Sequence, residues 1–168
     1  TPDAQWRTIM AYAPGTRERA ELKATLQQMS AAPIEIPLRI GGEEVRTGKT
    51  QRATCPHRHR HVLATWHEAG SAEVARAAQA ARAARRDWSE MPWEERAAVF
   101  LKAADLLAGP FRATINAATM LGQSKSVHQA EIDSACELID FFRFNAHFLE
   151  QLYEDQPLSG PGTWNRME

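Results

Sequence analysis

The chain has 168 residues, 43% hydrophobic and 24% charged, and its 20 basic and 21 acidic side chains leave a formal net charge of -1. That length and balance suit a folded domain with its own core and exclude a disordered chain. Near-neutral charge gives no global attraction to nucleic acid or an anionic membrane, and no apolar run approaches the ~20 residues of a bilayer span.

The opening residues Thr1 to Trp6 match neither a signal peptide nor a transit peptide, and the missing initiator Met points to residues upstream. Cys55 and Cys136 lie in unlike contexts, which argues against a structural disulfide and for a reducing compartment.

Pro14-Gly15-Thr16 predicts a turn delivering a Thr N-cap, then a helix to Ala32 that Pro33 ends. Ile34, Ile36, Leu38 and Ile40 alternate with polar residues and predict one half-buried strand, placed at a sheet edge by Pro37. Gly41-Gly42 is a hairpin turn into a strand near Glu43–Arg46, and two further strands are expected near Thr50–Cys55 and His61–Trp66.

From Ser71 the spacing becomes helical, with Val74, Ala77, Ala78, Ala81 and Trp88 on one face. A second helix starts at Pro92 and stops at Gly109-Pro110, and a third runs to Leu121 and stops at Gly122. A long helix then extends from Ser124 or Ser126 to about Tyr153. The closing stretch has turn and edge-strand chemistry, and its last residues resemble an interrupted extended segment.

Cys55, His57, His59 and His61 would share a face of one strand, and all four are zinc-ligand types. Ligands strung about 6.6 Å apart along a straight strand do not converge on one tetrahedral ion, so an exposed basic strand is the better account. Arg76, Arg82, Arg85 and Arg86 sit among acids and without stacking aromatics, as on a solvated helix face. Gly122-Gln123-Ser124-Lys125-Ser126 lacks the order of a phosphate loop and follows a helix; a C-cap followed by an N-cap explains it.

The long helix is apolar around most of its circumference, which predicts burial in a larger body. Asp133, Glu137 and Asp140 form an acidic strip beside Phe141 and Phe144. Such acids need a cationic partner against desolvation. Two kinds of partner suit: a protein cation (Lys125, Arg143 or a residue outside the chain), or the ammonium group of a ligand facing one carboxylate.

Three stretches carry a family resemblance. Glu35 to Val45, Phe100 to Pro110 with Met120 to Val127, and above all Gln129-Ala130-Glu131-Ile132-Asp133-Ser134-Ala135-Cys136-Glu137-Leu138-Ile139-Asp140-Phe141-Phe142-Arg143-Phe144-Asn145 resemble 1-pyrroline-5-carboxylate dehydrogenases, a branch of the aldehyde dehydrogenase superfamily. The resemblance implies an α/β, aldehyde-dehydrogenase-like fold, of which this portion is mainly helical with small hairpins and an unfinished β arm. It implies a helical arm over 1–33, a hairpin region over 34–66, helices of a cofactor domain over 67–153 and the start of an oligomerisation arm over 154–168. The implied reaction is oxidation of L-glutamate γ-semialdehyde to L-glutamate with NAD in proline catabolism. The family's nucleophilic Cys, deacylating Glu, oxyanion Asn and dinucleotide turn have no counterpart here, so the chain alone should be inactive. Neither Cys55 nor Cys136 aligns with the nucleophile. Glu137 matches a substrate-pocket Glu placed near the α-ammonium group.

Implied partners are the rest of the enzyme chain, an amino-acid aldehyde and a homodimer or higher homo-oligomer, with no metal, nucleic acid or membrane. The implied compartment is the cytoplasm of a bacterium or the mitochondrial matrix of a eukaryote. A rival reading is a catalytically inactive family fragment serving as an interaction module.

Overall fold

A computed structural model describes residues 9–167; the features noted at Thr1 to Trp6 lie outside them. Helix α1 (Arg17–Ala31) follows Thr16, whose hydroxyl donates to the Ala13 carbonyl instead of capping the helix. Short strands β1 (Ile34–Ile36), β2 (Leu38–Ile40), β3 (Glu43–Val45), β4 (Thr50–Cys55) and β5 (Arg58–His67) come next. Helices α2 (Ser71–Glu90), α3 (Trp93–Ala108) and α4 (Arg112–Gln123) precede the last helical rod.

The single strand expected over residues 34–40 is two. Pro37 has no N–H for a ladder and lies between β1 and β2, which join different sheets. β1 pairs parallel to β5 at the edge of a sheet ordered β1-β5-β4, while β2 pairs with β3 in a separate antiparallel hairpin. Its loop is Gly41-Gly42, with φ of 61° and 85°, a left-handed pair that glycine adopts without strain. The split also breaks the expected common face, because Ile34 and Ile36 are exposed while Ile40 is buried.

The predicted apolar face of α2 buries nothing among the described residues, and Val74 and Trp88 stand exposed. Two of its four arginines meet acids on this solvated face: Arg76 pairs with Glu43 at 3.0 Å and Arg86 with Glu90 at 3.0 Å. α4 continues through Gly122 to Gln123, one residue beyond the expected stop, and turns at Ser124 with φ of 58°.

Two small cores organise the helices. Tyr12, Leu22 and Ala117 join α1 to α4, with Met10, Leu26, Met29, Met120 and Val127 packed around them. Ala104, Ala135 and Ile139 join α3 to the last rod, with Leu107, Ala108, Ile115 and Phe142 at the margin.

That rod is not one regular helix. It comprises α5 (Val127–Ala130), a π-turn (Glu131–Cys136) and α6 (Glu137–Glu154). Its start carries a reciprocal capping box: the Ser126 hydroxyl accepts from Gln129 N–H, and the Ser126 N–H donates to the Gln129 side chain. Residues 155–167 form no strand: they have a bend at Asp155 and a turn at Pro161-Gly162, with Gln156 donating to the Leu152 and Tyr153 carbonyls and accepting from Met167 N–H. No helix among the described residues is long and apolar enough to cross a membrane.

Candidate functional site

The last helical rod presents two glutamates in opposite circumstances. Glu131 opens the π-turn and is fully buried. Every residue around it donates. Tyr12 OH reaches Oε2 at 2.9 Å, Asn116 Nδ2 reaches Oε2 at 2.8 Å, and Met10 N–H reaches Oε1 at 2.8 Å. Arg112 adds Nε to Oε2 at 3.3 Å and an ion pair from Nη2 to Oε1. The Cys136 thiol lies 3.7 Å from Oε1 and 3.5 Å from Arg112 Nη2, so the cluster touches both ends of the π-turn.

These elements converge for local reasons. Arg112 and Asn116 are four residues apart and share a face of α4, where both are buried. Tyr12, held with a positive φ of 52°, has its carbonyl fixed by Arg19 Nη1 at 3.0 Å. Burial alone pushes the Glu131 carboxyl up, but the Arg112 guanidinium and the Met10, Asn116 and Tyr12 donors hold it below the ordinary carboxylate value. Burial and the Glu131 charge push the Tyr12 phenol up to about 12. Glu131 is therefore held as an anion, saturated with donors and buried.

Glu137, the residue singled out from sequence, is exposed and has no ion pair or side-chain hydrogen bond among the described residues. It starts α6, and Phe141, Phe144, Phe148 and Leu152 follow at helical spacing along the same face, all exposed. Opposite them Ile139 is buried against α3. A carboxylate at the head of an uncovered aromatic stripe suits a cationic group presented on an apolar surface.

Of the acidic strip, Asp133 lies in the π-turn, and Glu137 and Asp140 lie in the first turn of α6. Asp133 pairs with Lys125 at 2.6 Å. Arg143, the other intramolecular candidate, pairs instead with Asp105 at 3.2 Å.

Nor do Cys55, His57, His59 and His61 lie on one straight strand. Pro56-His57 is the turn of the β4–β5 hairpin, with Cys55 opposite Arg58. The His57 ring lies 3.4 Å from Cys55 Sγ and 2.7 Å from Ser124 Oγ, which docks the hairpin on the C-terminus of α4. Cys55 and Cys136 are both buried, and neither is in a disulfide. Among the described residues no group of three or more His, Cys, Asp or Glu side chains could hold a metal ion.

Sequence reasoning missed Glu131 and its partners. A signal was present: Glu131, Ala135 and Ile139 recur at four-residue spacing on the core face, so an acid there had to be buried and paired.

This architecture is that of the aldehyde dehydrogenases. A sequence profile of the aldehyde dehydrogenase family matches residues 44–167, and the chain belongs to that family. It is 48% identical over 169 residues to the delta-1-pyrroline-5-carboxylate dehydrogenase of Agaricus bisporus, covering 99% of this chain and 31% of that protein. It is 47% identical over 159 residues to the mitochondrial delta-1-pyrroline-5-carboxylate dehydrogenase of Bos taurus, covering 95% of this chain and 28% of that protein. The crystal structure of the Delta-pyrroline-5-carboxylate dehydrogenase from Mycobacterium tuberculosis bound with NAD superposes with a TM-score of 0.92 at 50% identity, covering 99% of this chain and 31% of that one. The chain thus spans less than a third of the length of these relatives.

Proposed function

We propose that the chain is the N-terminal portion of an NAD-dependent dehydrogenase that oxidises L-glutamate γ-semialdehyde to L-glutamate in proline catabolism. The observation that carries this is the Glu137 face of α6: an unpaired carboxylate heading an exposed row of Phe141, Phe144 and Phe148. In this reading Glu137 receives the substrate's α-ammonium group, and the phenylalanines form part of the wall around it. The shared names of the relatives support the substrate class.

The remainder of the enzyme supplies the chemistry. Among the described residues no Gly-rich turn links a strand to a helix in a dinucleotide cradle, so these residues do not fit NAD by themselves. Residues 1–33 serve as a helical arm, 34–66 as a hairpin region, 67–153 as helices of the cofactor domain and 154–168 as the start of an oligomer arm in a homodimer or larger homo-oligomer. Bacterial cytoplasm or the mitochondrial matrix suits this role, and several eukaryotic relatives are named mitochondrial.

The test uses the full-length enzyme and two aldehydes, L-glutamate γ-semialdehyde and propionaldehyde. Glu137→Ala should lower kcat/KM for the amino-acid aldehyde by about tenfold or more, the weight of one charged contact, and affect propionaldehyde far less. Equal losses on both would refute the role. The 168-residue chain by itself should form no NADH from the semialdehyde.

A further inference from the structure

We propose that Glu131 is a positioning residue for the amino-acid-aldehyde reaction: clasped by Tyr12, Arg112, Asn116 and the Met10 N–H, it holds the π-turn that sets the direction of Glu137. The inference rests on the reading of Glu137 as the substrate's ammonium contact.

The coupling is through backbone. The Glu137 N–H bonds to the Ile132 carbonyl, five residues back, so the hydrogen bond that admits Glu137 into α6 belongs to the π-turn. One extra residue in a helical turn rotates everything downstream by about 100° relative to everything upstream. Two anchors hold that offset. Downstream, Ile139 and Phe142 pack with Ala104 and Leu107 of α3. Upstream, the Glu131 carboxylate is fixed from the N-terminal segment and α4.

A regular α-helix through this stretch satisfies only one of the two. It leaves Glu131 out of reach of its donors, or it turns Ile139 off α3. The cluster also grips the last residue of the turn, because Cys136 Sγ sits 3.5 Å from Arg112 Nη2. Cys136 immediately precedes Glu137. Releasing Glu131 therefore frees the turn to relax, and the first side chain beyond it is the one placed against the substrate.

The experiment compares Glu131→Gln, Tyr12→Phe, Glu137→Ala and the Glu131→Gln/Glu137→Ala pair in the full-length enzyme, with KM and kcat on both aldehydes. Glu131→Gln keeps the side chain's size and removes its charge. It should raise KM for the semialdehyde about tenfold, with kcat and the propionaldehyde constants within about threefold. Tyr12→Phe, which leaves the ion pair intact, should shift the same KM by about two- to threefold and covers the case in which the Gln variant does not fold. The double variant should be no worse on the semialdehyde than Glu137→Ala alone, since both act through one contact.

If Glu137→Ala discriminates between the aldehydes while Glu131→Gln and Tyr12→Phe only lower thermal stability or affect both aldehydes alike, the positioning role is wrong and the Glu137 reading stands. If Glu137→Ala fails to discriminate, both fall. Additive losses in the double variant also overturn the inference.

Discussion

Glu131 and Glu137 lie six residues apart on one helical rod, yet one is buried with every oxygen saturated and the other is exposed with no partner among the described residues. The contrast separates two uses of a carboxylate. A buried acid survives only with full pairing, and its loss strands its partners; an unpaired surface acid costs the fold little and stays available to a ligand.

The sharpest way to break this comparison is stability. Glu131→Ala leaves Arg112 buried without its counter-charge and should cost about 3–5 kcal/mol. Glu137→Ala should stay within about 0.5 kcal/mol. Chemical denaturation of the full-length enzyme measures both, and comparable losses would erase the distinction.

A smaller effect comes from pH. The Glu131 carboxyl is held below its ordinary range, so its contribution to stability is complete above that range and drains away as pH falls below it toward the lowered folded value. The Tyr12 phenol is pushed up to about 12 from 10.0, so its contribution is complete below pH 10 and lost as pH rises toward 12. Tyr12→Phe should flatten the alkaline limb and cost about 1 kcal/mol at neutral pH. Thermal denaturation across pH tests this; an unchanged alkaline limb would contradict it.

The smallest effect sharpens the exposed side of the comparison. Arg143 and Asp105 pair on the surface at 3.2 Å, and Arg143→Ala should change stability by less than about 1 kcal/mol. A loss near that of Glu131→Ala would show that surface pairs here behave like buried ones.

How much of this was legible in the sequence follows from how local each feature is. Helix ends near Thr16, Pro33, Pro92, Gly109 and Ser126 depend on neighbouring residues and came within a few positions of the structure. The Gly41-Gly42 hairpin was legible for the same reason. The strand over residues 34–40 misled because alternation is local, while the choice of sheet on either side of Pro37 depends on β5, some thirty residues away. The π-turn was invisible because nothing in the order Glu131 to Cys136 violates α-helical preference; its extra residue answers to partners at Tyr12 and Arg112. Glu137 was reached by family resemblance and by its place beside Phe141, whereas only the core-face spacing of Glu131 with Ala135 and Ile139 was local, and the partners of Glu131 lie up to 121 positions away.

The most direct measurement is a crystal structure of the full-length enzyme with L-glutamate bound. The account predicts the Glu137 carboxylate within about 3.2 Å of the α-ammonium nitrogen, with the π-turn intact and Glu131 still bonded to Tyr12 and Arg112. An ammonium group held by other residues, with Glu137 turned away from the ligand, would contradict it.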